Sequence, residues 1–564
     1  MGFANVSGPE RYAPIFNTRP RGVLFTIDLL LRTARRGAGE KSHVFDAIVI
    51  GSGFGGAISA CRAAEKGMKV LVLERGRRWT PEQFPRKAGD PWLFSSRRPA
   101  RRNGWLDLRF FRNMTVAQGD GGGSLVYSSV AVEAHPSLFQ EGWPADVTCD
   151  ELKPHYDAVT RMMNLQPVPD GQLTQRFKLA REAVRAVGHA DRLVKTPLAV
   201  TFSPDWNYEL DEPFDQKHSE QITNAQGQRQ GTCIHLGNCD IGCDVQAKNT
   251  LDLNYLAQAE QHGAEIRPLH IVRTILPDAS GYKVVFDRIQ DGDFIRGEER
   301  ASHVFLAAGS LGSTELLLRC RDKPQTLPNP SRRLGHGWSA NANVLSMAEY
   351  ADGGRVQQTW GPTISGMLDY MDGSVGGERF VVEDDGFPNL LLNALRAGGR
   401  DGGSGKVARA VRGRIEAHVT GDAGSRNVMV WLGAGMDAAD GRLTLRRPFF
   451  APWKRRLELG WNLQRSTGVV EAIRTVHKQL TEATGGRLRP DVAWSVFRSL
   501  TTLHPLGGCR MGATGEDAVV DHLGNVVGYP NMHVVDGSLL PSSTGRNPSH
   551  TIAAIAERIV ANIH

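Results

Sequence analysis

The 564-residue sequence predicts a mixed α/β fold in which a parallel-sheet domain, assembled from separated pieces of chain, carries an inserted antiparallel-sheet domain. Three observations predict it. Residues 45–76, "FDAIVIGSGFGGAISACRAAEKGMKVLVLERG", run strand, glycine turn, helix, strand. The strand–turn–helix order returns in 303–318, "HVFLAAGSLGSTELLL", and again at the end in 531–564. Between them, roughly 346–494 has another character. There "RNVMVWLGAGM" and "GRLTLRRPFF" look like antiparallel strands, separated by polar glycine-rich stretches such as "RAGGRDGGSGK". A chain this long exceeds one ordinary core, so two domains are expected.

The elements follow in order. Residues 1–43 form an N-terminal extension. They lack a charged segment followed by an apolar core, so no secretory leader is expected, and no run of 18 apolar residues predicts a membrane span. "GVLFTIDLLLRTARR", 22–36, reads as an amphipathic helix that either lies on a bilayer or packs against the body of the protein. The first strand is Ala47 to Ile50 and the second Lys69 to Leu73. The helix between them carries Gly56, Ala57, Ala60, Ala63 and Ala64 on one face, small enough to lie close to a parallel sheet.

Gly51, Gly53 and Gly56 make G-x-G-x-x-G between strand and helix, with Phe54 and Gly55 inside the motif and Glu74 closing the second strand. That context turns a weak glycine spacing into a Rossmann-like dinucleotide signal. Gly51 permits the tight turn, Gly53 lets backbone approach a pyrophosphate, and Gly56 lets helix and strand pack. The helix N-terminus offers N–H groups to the anion. Glu74 accepts from a ribose and repels a 2′-phosphate. There is no second fingerprint of equal quality. Instead "GDGGGSLVYSS", 119–129, offers Gly121, Gly122, Gly123 and Ser124 to something flat. One dinucleotide site with extra backbone contacts elsewhere points to FAD. Ala308 and Gly309 in the middle unit, and Asp536 and Gly537 in the last, are further candidates for contact with it.

The net charge is +7, with basic residues concentrated in 86–112, "RKAGDPWLFSSRRPARRNGWLDLRFFR". No nucleic-acid motif accompanies the run, so a solvated loop is expected and nucleic acid is not an expected partner. An anionic membrane surface is the remaining candidate contact. Seven cysteines in this length do not make a disulfide framework, and a reducing cytoplasm is the default. Cys233, Cys239 and Cys243, with His235 between, match no known zinc finger and lack a fourth cysteine for an iron–sulfur cluster. No metal is expected; buried thiols or one disulfide are.

Late in the chain stands "TTLHPLGGCRMG", 501–512. Pro505 restricts the backbone after His504, and Gly507 and Gly508 are expected to admit a flat ring. A neutral histidine near pH 7 can serve as base. Asn547 both donates and accepts, and Pro548 opens the last helix, whose positive end suits a ring that gains negative charge.

Together the fingerprint, "GDGGGSLVYSS", "GNCDIGCDVQAKNTLDLNYL", "LGHGWSANANV", "HPLGGC" and "VVDGSLLPSSTGRNPSHTIAAIAER" resemble the glucose–methanol–choline (GMC) oxidoreductase family, and within it the bacterial cholesterol oxidase branch. The resemblance covers about a third of the chain. It implies a discontinuous Rossmann-like FAD-binding domain (44–77, 110–133, 232–345, 500–564). The inserted antiparallel-sheet substrate domain would then be 78–109, 134–231 and 346–499. It implies oxidation of an alcohol to a carbonyl by hydride transfer to flavin N5. It places His504, as proton acceptor, and Asn547 at the flavin. Many sugar- and methanol-oxidising relatives have histidine at the second place; asparagine implies a sterol-like, 3β-hydroxysteroid or other hydrophobic secondary alcohol. The branch also uses a glutamate near Glu383, though Asp384 and Asp385 beside it make surface acidity an equal reading. The expected partners are a hydrophobic alcohol and O2 or another electron acceptor, with membrane contact peripheral. Two alternatives stay open: a small, aryl or sugar alcohol, and a catalytically silent flavoprotein with a binding role. His135, just past the glycine patch, is read as structural.

Overall fold

The computed structural model describes residues 44–563 apart from 88, 141, 323–324, 352–354, 387, 389–426, 448–454, 490–498 and 514–515. The amphipathic segment 22–36, with the rest of the N-terminal extension, and "RAGGRDGGSGK" lie outside the described residues.

The first sheet is built around Val44–Ile50. On one side it pairs in parallel with Val70–Leu73, which pairs in parallel with Glu265–Arg267. On the other it pairs with the C-terminal half of Asp293–Leu306, which receives Met532–Val534 as a further parallel strand. The N-terminal half of Asp293–Leu306 turns into an antiparallel meander with Gly281–Gln290 and His270–Asp278. The parallel part therefore draws strands from the beginning, middle and end of the chain, as the three strand–turn–helix segments predict.

Helices cover this sheet because their inner faces are small or apolar. In Phe54–Glu65 the buried residues include Gly55, Gly56, Ala57, Ala60, Ala63 and Ala64. A Cβ at Gly56 would stand 2.0 Å from the Gly51 carbonyl oxygen, and one at Gly55 1.8 Å from that of Val535. Those two glycines are thus demanded by the fold itself. The last helix, Ser549–Ala561, lies across Phe54–Glu65, held by a fork of Arg62 onto Glu557, which also accepts from Tyr255. Buried Arg558 ties the same helix to Glu151 of helix Cys149–Met162.

The second sheet is antiparallel at every pairing. Its order is Arg487–Leu488, Val344–Glu349, Val428–Gly435, Phe380–Asp385, Gly366–Asp369, Leu193–Lys195. Alternation sends side chains to two different places. One face, with Trp431 and Met429, joins the main core under helix Thr467–Ala483. The other, with Val381, Leu432 and Met367, joins a separate apolar cluster with Val130, Leu198 and Val200. Two three-stranded sheets and a two-stranded one, Ile222–Thr223 with Arg229–Gln230, complete the described architecture. Leu106–Phe110, Met114–Gly119 and Leu500–Thr502 form one. His336–Trp338, Gly441–Arg446 and Arg456–Gly460 form the other. So "GRLTLRRPFF" does supply an antiparallel strand, but in a small sheet packed on helix Gly309–Asp322. The basic run is not a freely solvated loop: Trp105 and Trp92 within it are buried.

Candidate active site

A continuous cavity of about 730 Å³ runs from Gly51, Gly53 and Glu74 at one end to His504 and Asn547 at the other. It joins a glycine turn near the start of the chain to a histidine near its end. The helix Phe54–Glu65 begins at Gly53, and Ser549–Ala561 begins at Pro548. Neither has a side-chain cap or an acidic residue in its first turn. The start of helix Gly309–Asp322 also lines the cavity. The Asp536 carboxylate caps that third helix, so two uncapped positive helix ends face one space, an arrangement suited to phosphate and to a ring that becomes anionic.

The glycines test what fills that space. A Cβ on Gly53 would meet only the Ala307 oxygen, at 4.0 Å, and one on Gly123 only Phe54, at 3.9 Å. Both glycines line the cavity, so protein packing does not require them and the space beside them is open to a closely approaching group. Gly122 has φ +111° with its Cβ position 3.2 Å from the Ser52 oxygen, and Gly309 has φ +78°. Glu74 stands at the strand end, accepting from Ser52 N and Oγ at 2.8 and 2.9 Å and from Gly76 N at 2.7 Å. Its carboxylate braces the turn and keeps lone pairs for a ribose. This long, phosphate-friendly cradle fits FAD.

At the far end, His504 is held in one protonation pattern. Asn343 Nδ2 donates to His504 Nδ1 at 3.1 Å, and Asn341 Nδ2 lies 3.5 Å from the same nitrogen. Neither amide can be reversed. Asn343 Oδ1 accepts from the Leu503 backbone N–H at 3.2 Å and from Thr502 Oγ at 2.9 Å. Asn341 Oδ1 accepts from Thr544 and Gly545 N–H groups, and its Nδ2 donates to the Arg546 carbonyl. His504 Nδ1 is therefore an acceptor, and the neutral ring carries its proton on Nε2. Burial pushes the pKa of the ring down to about 4, so it is neutral at pH 7.

Asn547 lines the cavity, with Nδ2 3.4 Å from Glu383 Oε2 and Oδ1 buried without a partner among the described residues. Behind it, Glu383 is fully buried, with Oε1 also lacking a partner among the described residues. Burial, reinforced by the charge of Asp384, raises its pKa to about 8 against the hydrogen bond from Asn547.

The structure brings together Gly51, Gly53, Phe54, Gly55, Glu74, Gly122, Gly123, Ala308, Gly309, His504, Asp536, Gly537, Asn547 and Pro548 around the cavity. Other expected contacts lie elsewhere. Gly56 serves helix packing, as its place in the motif predicts. The Gly121 Cβ position faces Trp79 and the Arg77 oxygen, and Ser124 Oγ accepts from Leu251 N. Asp536 lines the cavity, yet its carboxylate is taken by Gly309 N, Ser313 Oγ and Ser538 N. The expectation that Gly507 and Gly508 admit a ring is corrected. A Cβ there would strike the Gly337 oxygen at 1.9 Å and Thr314 Oγ at 2.2 Å, so they pack the segment on its neighbours.

The surface reading of "EDD" is corrected too: Glu383, Asp384 and Asp385 are all buried. All seven cysteines are free thiols, and the described residues hold no group of three or more His, Cys, Asp or Glu placed to bind a metal. His235 is stacked on Trp206 and bonded to Tyr208 and Gln172. His135 bonds to Ser137 and lies off the cavity. Sequence reasoning missed Asn341 and Asn343; "SANANV" shows two amides but not which ring they face.

The GMC oxidoreductase family profiles match residues 45–320 and 439–556. A cholesterol oxidase of Acinetobacter baumannii is 29% identical over 540 residues, 93% of this chain and 95% of that protein. One of Mycobacterium tuberculosis is 29% identical over 539 residues, 91% and 90% of the two chains. Among solved structures, pyridoxine 4-oxidase from Mesorbium loti superposes with TM-score 0.58 at 18% identity, covering 92% of this chain and 98% of that one. An Aspergillus oryzae formate oxidase gives 0.60 at 14%, covering 93% and 98%.

Proposed function

The chain belongs to the GMC oxidoreductase family as an FAD-dependent alcohol oxidoreductase, and from that premise we propose that it oxidises a hydrophobic, sterol-like secondary alcohol. The carrying observation is the apolar face around Glu383. On one side of the second sheet, Met367, Val381 and Leu432 stand against Val130, Leu198 and Val200, and Leu432 and Val130 reach the cavity wall. Such a wall favours a bulky apolar alcohol over a polyol, in keeping with relatives named cholesterol oxidase.

FAD supplies the hydride acceptor when bound. The chain's own residues handle the proton and the oxygen. We assign His504 Nε2–H as the donor that orients the alcohol oxygen, because its other nitrogen is occupied by fixed amide donors. Its position makes it a poor base, contrary to the expectation that it accepts the proton. Glu383 is the acceptor, and Asn547 holds Glu383 while contacting the cofactor or substrate. The FAD-binding module is proposed to comprise 44–77, 110–133, 232–345 and 500–564, with Leu106–Phe110 added because it pairs with Met114–Gly119. The remaining expected segments make up the substrate module. No described helix is long and apolar enough to cross a membrane.

Two measurements test this reading. Anaerobic mixing with a panel of alcohols should bleach the flavin with 3β-hydroxysteroids and leave it yellow with sugars; the reverse preference overturns the substrate assignment. His504→Gln retains an N–H donor and is expected to lose only about 10- to 100-fold in kcat/KM, whereas loss of a general base costs on the order of 10²–10⁴. Activity falling to background in that variant would return the base to His504.

A further inference from the structure

Asn341, Ala342 and Ala439 hold positive φ angles of 54°, 39° and 43° beside the site. Asparagine visits this left-handed region readily, but alanine does not. One carboxylate brackets them. Asp437 Oδ2 accepts from Ala340 N at 2.9 Å and from Ala342 N at 3.2 Å, and its Oδ1 accepts from Ala439 N at 2.9 Å. Asp437 is buried, and the groups acting on it most strongly are the Ser339 hydroxyl and these N–H groups, not a cation. A buried carboxylate and left-handed alanines are each costly, and such features persist where a turn must keep one shape. This turn touches both halves of the site. Asn343 Nδ2 donates to His504 Nδ1 at 3.1 Å, and the Ala340 carbonyl accepts from Thr502 Oγ at 2.8 Å. Asn341 binds the backbone of Thr544, Gly545 and Arg546, immediately before Asn547. Ser543 Oγ donates to the Asp437 carbonyl at 3.2 Å. Asp437 itself is not part of the cavity wall.

We propose that Asp437 is a positioning residue: its carboxylate holds residues 340–342 in the left-handed turn that aims Asn341 and Asn343 at His504 and braces the loop before Asn547. The assignment rests on the reading of His504 as an Nε2–H donor. Without the carboxylate, Ala342 is free to return to the ordinary region of negative φ. Asn341 precedes it and Asn343 follows it, so both amides turn with the backbone. His504 Nδ1 then loses its donors, the ring is no longer fixed in one orientation, and its proton can sit on either nitrogen. The Thr544 and Gly545 N–H groups lose their acceptor in the same movement, which loosens Asn547. Asp437 thus acts through these amides and needs no contact with substrate or flavin.

The test uses holoenzyme with isotope-labelled histidine ring nitrogens, carrying Asp437→Asn alone or together with Ala342→Gly. The His504 signals in the NMR spectrum are identified by their loss in His504→Gln. Asparagine keeps the shape but sets an NH2 group against N–H donors, so one side of the turn is released. Unmutated protein should show a single Nε2–H form of His504 with Nδ1 hydrogen-bonded. In Asp437→Asn the Nδ1 signal should move to that of a free nitrogen, and a minor Nδ1–H form should appear. Anaerobic flavin reduction by a 3β-hydroxysteroid should slow about tenfold with KM little changed, short of the roughly 10²–10³ lost with a whole oxyanion donor. Glycine adopts the left-handed conformation without steric cost, so adding Ala342→Gly should restore both the ring signals and the rate. A role in packing alone would lower the melting temperature, leave the His504 signals as they were and gain nothing from the glycine; that result overturns the proposal. If Asp437→Asn fails to fold, the double variant decides: native-like signals and rate support the strained turn, whereas a double variant that also fails to fold, or folds with an altered ring, overturns it. The functional reading fails separately, if His504 of unmutated protein carries its proton on Nδ1 or if no alcohol reduces the flavin.

Discussion

Replacing Glu383 with glutamine is expected to slow flavin reduction by the alcohol by on the order of 10²–10⁴-fold, the usual contribution of a positioned general base. Glutamine keeps the shape and can still accept from Asn547, so cofactor content and fold should survive. The pH profile makes the test sharper. Glu383 works as a base only when ionised, and its pKa is raised to about 8. Below that value kcat/KM should therefore rise about tenfold per pH unit, then level off above it. At pH 7 about a tenth of the enzyme carries the competent carboxylate. A base at His504, with its pKa near 4, predicts instead a rate that is flat from pH 6 to 9. The slope of kcat/KM between pH 6 and 8, from anaerobic stopped-flow reduction, separates the two. A flat profile in unmutated protein, or a Gln variant of undiminished rate, removes Glu383 from the chemistry.

How legible each part was depends on whether its cause is local. The first strand, turn and helix were readable because every requirement lies within residues 45–76: an apolar strand, glycines at backbone approaches and small residues facing a sheet. Even there two different causes looked alike. Gly56 is demanded by the Gly51 carbonyl, whereas Gly53 faces open cavity and no neighbouring protein group demands it. Gly507 and Gly508 were legible as glycines that permit close approach, but the approaching group is Gly337 and Thr314. "EDD" reads as surface because three consecutive acids usually cannot be buried. Here alternation splits them between two environments, and Asp384 is compensated by backbone N–H groups about twenty residues earlier in the chain. The protonation state of His504 was not legible at all. It depends on Asn341 and Asn343, about 160 residues away, and on backbone groups that lock their amides. Pattern along the chain marks where a backbone must come close; chemistry set by pairs of distant side chains needs the fold.

Gly53→Val is expected to yield a folded, colourless protein, with FAD affinity reduced by at least about 100-fold. Gly53 has φ −68° and ψ −171°, an extended conformation open to any residue, so valine brings no backbone strain. Beyond its chain neighbours, the Cβ position meets only the Ala307 oxygen, at 4.0 Å, so the apoprotein has room for the first side-chain carbon, with the cavity beyond it. What valine occupies is the space at the N-terminus of helix Phe54–Glu65, where a diphosphate would meet the free N–H groups. Forcing extra carbons into a filled contact costs about 1–3 kcal/mol per insertion, and each 1.4 kcal/mol is about tenfold in affinity. Gly56→Ala is the contrasting variant. Its Cβ would lie 2.0 Å from the Gly51 oxygen and 3.0 Å from Ala307 Cβ, so the damage falls on helix–sheet packing and lowers the melting temperature of the apoprotein itself. The absorbance ratio of flavin to protein and the melting temperature after flavin removal distinguish the two losses. A Gly53→Val protein that purifies fully yellow would show that no phosphate passes that glycine, and the cradle would have to be sought elsewhere along the cavity.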